Sequence, residues 1–236
     1  MNSFDVELIK KYVDKDKQFE ALEKLKTGYP VQYIIGNVEF YGLEINVKEN
    51  VLIPRFETEY LVDDLLKLIK DNNFNKPNIL EIGSGSGCIS LAIKNNLDCN
   101  IVAIDNNPDA IKLSKENANK LGIDVDFILK DMKDLSEGNY DILVSNPPYV
   151  AFDSPTYNIE YEPKSAIFAE DNGLYFYKII LEKSVKLLNN HNIIAFEIGD
   201  KQGEAIKSLA LHFYPDAKIV IKKDLNLRER YVYIVN

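Results

Sequence analysis

The sequence predicts an α/β fold: a seven-stranded, mostly parallel sheet that ends in an antiparallel hairpin. Three observations carry this. From Asn78 onward, short apolar runs alternate with segments of helical spacing, the pattern of strands joined by right-handed helical crossovers and covered on both faces. The last stretch, AKIVIKKDLNLRERYVYIVN, holds two strands with only a short turn region between them; no helix fits there, so the two pair antiparallel. Glycine-rich and proline-rich punctuation, GSGSG at 83–87 and NPPY at 146–149, falls at strand ends, where open sheets of this kind carry their ligands.

The elements follow in order. Residues 3–26 place Phe4, Leu8, Ile9, Tyr12 and Val13, then Phe19, Leu22 and Leu25, at helical intervals, and Thr27-Gly28-Tyr29-Pro30 stops the segment. VQYIIGNVEFYGLEINVKENVLIPR is rich in β-branched and aromatic residues and broken by Gly36, Gly42 and Asn50, so it reads as a hairpin or short antiparallel unit. FETEYLVDDLLKLIKDN returns to helical spacing, with Thr58 a candidate N-cap and acidic residues in the first turn. Strand NILEIG, helix GCISLAIKNN, strand NIVAID and helix NPDAIKLSKENANKLG come next, then strands DVDFILKD and YDILVSN. Helical GLYFYKIILEKSVKLLNN and strand NIIAFEIG precede the final hairpin. The division is a helical segment over 1–28, a β-hairpin linker over 29–56 and the main domain over 57–236.

Bulk properties narrow the function classes. The 236 residues are 46% apolar and 28% charged, enough for a sizeable core in a globular chain. A formal net charge of -9 argues against a large duplex nucleic-acid footprint, which needs basic surface. Cys88 and Cys99 show no metal-ligand spacing and read as reduced core thiols. No metal is expected. The start, MNSFDVELIKKYVDKDK, has no apolar signal core and no later run reaches membrane-spanning length, so the cytoplasm is the expected compartment, with no membrane partner.

Two motifs carry chemistry. In ILEIGSGSGCIS, Gly83, Gly85 and Gly87 sit between a strand end and a helix start, where missing side chains let backbone approach a ligand and the helix N-terminus favours polar groups. The spacing departs from G-x-G-x-x-G, and the loop alone is a weak signal. It gains weight because the next strand ends in Asp105, placed to accept both hydroxyls of a ribose; the competing reading, an N-cap for the helix near Pro108, suits Asn107 better. Asp131-Met132 ends the following strand, where a base would lie. The second motif, Asn146-Pro147-Pro148-Tyr149, stops the fourth strand with two residues that lack an N–H and have fixed φ. An amide nitrogen is a poor nucleophile because its lone pair is conjugated; breaking that conjugation costs about 18–20 kcal/mol. A site that methylates such a nitrogen must hold both N–H bonds, and the Asn146 side-chain oxygen with the Pro147 carbonyl would suffice. Tyr149 offers a flat face or a hydroxyl. On its own, the tetrapeptide also fits a strand end followed by a shaped turn.

EIGSGSG, Asp105 and NPPY together resemble a Rossmann-like class I methyltransferase that uses S-adenosylmethionine and acts on an amide or amino nitrogen. YPVQYIIGNVEFYGLEINVKENVLIPRFETEYLV further resembles the PrmC/HemK family, which methylates the glutamine side-chain amide in the GGQ motif of class I peptide chain release factors. EPKSAIFAEDNGL, AFEIGDKQGEAI and DLNLRERYV resemble later blocks of that family in the same order, so the likeness spans about residues 29–236. The resemblance puts S-adenosyl-L-methionine (product S-adenosyl-L-homocysteine) against Glu81, Gly83, Ser84, Gly85, Ser86 and Gly87. It adds Asp105 and Asn106, then Asp131 and Met132, with Asn146 at the border. Asn146, Pro147, Pro148 and Tyr149 would hold the substrate glutamine, and Arg55, within Ile53-Pro54-Arg55, would cap the site together with Glu57 and Glu59. The implied partner is a release factor, met by a monomer.

The chain departs from the family pattern in three places. Only 28 residues precede Tyr29, room for two helices rather than the larger helical domain usual there. AEDNGL stands where a glycine-richer G-x-D-G-L is common, and DLNLRER lacks a glycine often found before the arginine. Neither of the last two touches the amide clamp. Other readings weighed are a ribosomal-protein glutamine methyltransferase, which shares nearly every motif, an adenine-N6 methyltransferase, which needs a basic groove and base flipping, and a non-catalytic regulator, which would show a broken tetrapeptide or a lost Asp105. Here both are intact.

Overall fold

The computed structural model describes residues 2–154 and 160–236. Helices α1 (Ser3–Tyr12) and α2 (Gln18–Lys26) open the chain, and Asn2 caps the first by accepting from the Phe4 amide at 3.2 Å. They bury Ile9, Ala21 and Leu25 with Val31 in a cluster of their own. The strand-favouring residues VQYII form a short helix instead, α3 (Val31–Ile35). Pro30 leads into it, and Gly36 ends it at φ 87°, donating its N–H to the Gln32 carbonyl at 2.7 Å. The expected hairpin is therefore confined to β1 (Asn37–Phe40) and β2 (Leu43–Asn46), paired antiparallel around Tyr41-Gly42, both at positive φ.

Helix α4 (Phe56–Asp71) follows. Its N-cap is Arg55, extended after Pro54, rather than Thr58. Thr58 already belongs to the first turn, since its N–H donates to the Arg55 carbonyl at 3.1 Å; its buried hydroxyl serves another partner.

The main sheet has the order β10-β11-β9-β6-β3-β4-β5. Its members are β3 (Asn78–Ile82), β4 (Asn100–Asp105), β5 (Asp126–Leu129), β6 (Tyr140–Ser145), β9 (Leu188–Glu197), β10 (Lys218–Lys223) and β11 (Glu229–Val235). The five from β5 to β9 run parallel, and β11 pairs antiparallel with both β9 and β10. Helices α5 (Cys88–Asn96), α6 (Pro108–Leu121), α7 (Tyr175–Leu187) and α8 (Gly203–Phe213) supply the crossovers, and the two-residue strands β7 (Val150–Ala151) and β8 (Phe168–Ala169) pair outside the main sheet. Helix α7 ends three residues short of the predicted segment because Leu188 turns extended and starts β9, which puts His191 inside that strand.

The pleat sorts side chains by parity. Ile79, Ile142, Val144, Ile193 and Ala195 pack with α4 and α5 on one face; Leu80, Leu143, Ile194 and Phe196 pack with α7 and α8 on the other. Continuing each strand by the same alternation sends Glu81, Asn146 and Glu197 toward the α4–α5 face. Cys88 and Cys99 are buried free thiols, and burial pushes them up to about 12 and about 11. Among the described residues no helix is long and apolar enough to cross a membrane.

Gly87 leads into α5 at φ 84°, and a Cβ there would lie 2.8 Å from Phe127 Cζ and 3.0 Å from Ser114 Cβ. Left-handed backbone and overpacking together predict that Gly87→Ala costs about 2–4 kcal/mol in urea unfolding. An unchanged midpoint and slope would show that the loop tolerates a side chain and that this packing argument is wrong.

Candidate active site

The strand order reverses at β3: the chain runs outward through β4 and β5, then returns to β6 on the other side of β3. Ligand crevices of open α/β sheets form beyond the strand ends at such a reversal. The loop 83–87 leaves β3 there, with Gly83, Gly85 and Gly87 at φ 81°, 52° and 84°. It is tied to the neighbouring strand: the Gly83 and Ser84 amides donate to the Ile104 carbonyl at 2.8 and 3.0 Å, and the Gly85 amide donates to Asp105 Oδ2 at 2.9 Å. Asp105 Oδ1 accepts from the Asn107 amide at 2.8 Å. A carboxylate oxygen accepts more than one donor, so both remain able to take a hydroxyl. Burial raises the Asp105 carboxyl against the opposing pull of these amides. Asn107 caps α6, accepting from the Asp109 amide at 2.9 Å, which frees Asp105 from that duty.

A cavity of about 310 Å³ opens beside the loop. Glu81, Gly83, Ser84, Gly85 and Ser86 line it, as do Asp105, Asn106, Asp131 and Met132. Asn146, Pro148 and Arg55 complete the predicted residues found there. Gly87, Pro147 and Tyr149 stand outside the lining, as do Glu57 and Glu59, which flank the inward-facing Thr58 on α4. His191 stacks on Phe74 at 4.4 Å and His212 sits in the last turn of α8; neither reaches the cavity. Fully buried Glu81 accepts from the amide and hydroxyl of Ser90 through Oε2, while its Oε1 and the Ser84 hydroxyl have no partner among the described residues. Burial pushes the Glu81 carboxyl up to about 8.

Asn146 follows Ser145, whose hydroxyl donates to the Ile82 carbonyl at 2.7 Å and fixes the end of β6 against β3. Asn146 Nδ2 donates to Thr58 Oγ1 at 3.3 Å, and Thr58 Oγ1 donates to Glu197 Oε2 at 2.6 Å. Tyr149 donates its hydroxyl to Glu197 Oε1 at 3.2 Å and accepts from Arg230 Nη1 at 3.2 Å. Desolvation and the neighbouring Glu197 hold that phenol well above its ordinary range. The Tyr149 hydroxyl is thus engaged within the protein, by Glu197 and Arg230. The Tyr149 carbonyl accepts from Gln202 Nε2 at 3.0 Å, and a Cβ on Gly173 would come within 2.0 Å of that carbonyl, so the single glycine of AEDNGL occupies a place no side chain can fill.

The linker forms the opposite wall. Glu162, 7% exposed, accepts from Arg55 Nη2 at 2.5 Å and from the Ile53 amide at 3.2 Å. Asn107 Nδ2 donates to the Asn50 carbonyl at 2.7 Å and Tyr33 donates to the Val51 carbonyl at 2.7 Å, which seats residues 50–55 over the α6 end of the cavity. Sequence reasoning missed Thr58, Glu162, Glu197 and Arg230 as site residues. The available signal was a charged residue ending an otherwise apolar strand, as Glu197 ends NIIAFE.

Comparison with known proteins bears on this arrangement. Residues 58–162 match the family described as Methyltransferase small domain. Over 225 residues the chain is 37% identical to a release factor glutamine methyltransferase of Enterococcus faecalis, covering 92% of this chain and 80% of that protein. The chain belongs to the release factor glutamine methyltransferase family. Among solved structures, a methyltransferase from Pyrococcus furiosus superposes with TM-score 0.59 at 17% identity over 94% of this chain and 98% of that one. A 16S rRNA N2 G1207 methyltransferase of T. thermophilus, solved with AdoMet and guanosine, gives 0.62 at 12% identity over 85% and 49%. At those identities the two share the fold.

Glu81 predicts a pH signature of stability. Its carboxyl titrates near the ordinary 4.5 when unfolded and near 8 when folded. Between those values the native state binds a proton that the unfolded state has lost, so its contribution to stability is complete below about 4.5 and falls as pH rises toward about 8. Glu81→Gln mimics the protonated form and lacks that fall. In ligand-free protein the Tm advantage of the variant over wild type should grow from pH 5 to pH 8; a constant difference would place the titration elsewhere.

Proposed function

We propose that this methyltransferase moves the methyl group of S-adenosylmethionine to the side-chain amide nitrogen of the glutamine in the GGQ motif of class I release factors. The observation that carries the reading is that Asn146, at the end of β6, lines the same cavity as the 83–86 loop and Asp105, with its Nδ2 already engaged and its Oδ1 without a partner among the described residues. Family membership favours a release factor over a ribosomal protein as substrate.

The residues present fit the nucleoside-containing cofactor. Asp105 keeps lone pairs on both oxygens for the ribose hydroxyls. The unpartnered Ser84 hydroxyl and Glu81 Oε1 would meet the amino-acid end, and Asp131 with Met132 would border the adenine. A side chain at Gly85 would be strained by its positive φ and would reach toward Val51 Cγ1, 4.0 Å from an ideal Cβ. When bound, the cofactor supplies an electrophilic methyl group on a sulfonium sulfur.

The work of the chain is orientation. Asn146 Oδ1 accepts one N–H of the substrate amide and the Pro147 carbonyl the other, so the remaining lobe of the nitrogen points along the cavity. Pro147 and Pro148 lack N–H groups that would compete for these oxygens, and their fixed φ holds the turn still. Fixing donor and acceptor in line can lower the barrier by roughly 7–11 kcal/mol. No dedicated general base is required, because the proton becomes acidic only once nitrogen carries the methyl group, and it would then pass to solvent water, since neither amide oxygen is basic enough to keep it.

Incubation of the chain and S-adenosylmethionine with a purified release factor should add one methyl group to the GGQ glutamine, read by mass spectrometry beside ribosomal proteins in the same reaction. An unmodified release factor with active cofactor refutes the substrate. Asn146→Ala should lower kcat by about 100-fold or more, as loss of an oriented hydrogen-bonding group does elsewhere, with cofactor affinity nearly unchanged. Asp105→Ala should do the reverse, weakening cofactor binding by about 1–3 kcal/mol in calorimetry through the lost hydroxyl bonds. Unchanged affinity there would displace the ribose from this strand end.

A further inference from the structure

The proposed reaction needs the oxygen end of the Asn146 carboxamide toward the substrate. Nothing in the carboxamide itself ensures this: its oxygen and NH2 group are nearly equal in size, and a half-turn about the last side-chain bond exchanges them. A flipped Asn146 would present N–H donors to an amide nitrogen whose own N–H bonds must be accepted. Some group outside the clamp has to distinguish the two ends.

We propose that Thr58 is that group, a positioning residue whose hydroxyl reads the two ends of Asn146 because Glu197 has already claimed its only proton. The hydroxyl has one hydrogen and lone pairs. At 2.6 Å from Glu197 Oε2, an acceptor with no hydrogen of its own when ionised, it donates there. Toward Asn146 it can then only accept, so the atom facing it at 3.3 Å must be Nδ2, and Oδ1 is turned to the cavity. The direction of the chain is fixed behind Glu197 as well. Tyr149 donates to its other oxygen, and Arg230 donates to the Tyr149 oxygen, so a guanidinium stands one bond away from the carboxylate. Tyr177 donates to the Glu197 carbonyl at 2.7 Å and holds the strand end in place. With Glu197 ionised, the Thr58 and Tyr149 hydroxyls both donate to it, which leaves one orientation of Asn146.

The placement follows from the fold. Ser145 pairs with Phe196, so Asn146 and Glu197 are the next residues of adjacent strands, and the pleat sends both to the α4 face. Thr58 is the third residue of α4 and is 2% exposed. It lines the cavity. This inference rests on the proposed amide methylation, and its test separates the two.

Two readouts decide it. In 15N-labelled protein, the Asn146 side-chain NH2 pair, identified by its loss in Asn146→Asp, should show a nuclear Overhauser contact to the Thr58 methyl group. Absence of that contact overturns the inference whatever the activity. Thr58→Val keeps the volume and removes the acceptor; kcat on the release factor should fall about 10- to 100-fold with S-adenosylhomocysteine affinity unchanged, and Thr58→Ser should recover most of the loss. A valine variant within about twofold of wild type, a serine variant as slow as valine, or a matching loss of S-adenosylhomocysteine binding would each overturn the positioning role. A wild-type protein that shows the Overhauser contact yet leaves the release factor unmodified refutes the proposed substrate and leaves the orientation standing.

Discussion

The register of three strands, β3, β6 and β9, is the constraint from which the site follows. Ser145 lies between Ile82 on one side and Phe196 on the other, and its hydroxyl closes the β6 end onto the Ile82 carbonyl. The next residue of each strand is therefore Gly83, Asn146 or Glu197, three groups in one row at the sheet's carboxyl edge. A slip of one residue in β6 would send Asn146 to the α7–α8 face and break both its approach to the glycine loop and its bond to Thr58. Apolar packing on the two faces fixes that register far more firmly than any polar bond at the edge could, since Ile142, Leu143, Val144, Ile193, Ile194, Ala195 and Phe196 are all fully buried.

Polar groups at this edge are costly to bury, and they differ in how fully they are paired. Glu197 is buried and its carboxyl raised by desolvation, opposed by the Thr58 and Tyr149 hydroxyls and by Arg230. Glu81, with one oxygen unpaired, is raised to about 8. The two carboxyls differ in place and pairing: Glu81 lines the cavity and Glu197 does not. Both oxygens of Glu197 accept from hydroxyls of the protein. Glu81 and Ser84 retain unsatisfied capacity, which is the condition of groups that have a ligand to meet. Arg55 and Glu162 join the linker to the loop after NPPY through an ion pair whose acid is buried.

Much of the fold was legible because it depends on period. The βαβ alternation from Asn78, the final hairpin and the glycine and proline punctuation each show in a window of a few residues. VQYII was misleading for the same reason: its residues favour strands, but Pro30 and Gly36 bracket a five-residue stretch that closes as one helical turn and a half. Thr58 looked like a cap from its position before acidic residues, and its actual partner lies 139 positions away. Arg55 was legible as a site residue but its partner, 107 positions off in a long loop, was not. Contacts of that kind are set by strand order and pleat parity together, which a linear pattern does not contain. Glu197 and Arg230 were visible only as parts of blocks, AFEIGDKQGEAI and DLNLRERYV, with no role attached.

The most direct measurement is a crystal structure of the chain with S-adenosylhomocysteine and a peptide carrying the N5-methylated glutamine, at a resolution that distinguishes the ends of Asn146 by their hydrogen-bond partners. The account predicts Oδ1 within about 3 Å of the glutamine nitrogen, and that nitrogen facing the sulfur. Asn146 turned out of the cavity, or the glutamine held by other acceptors, would contradict it.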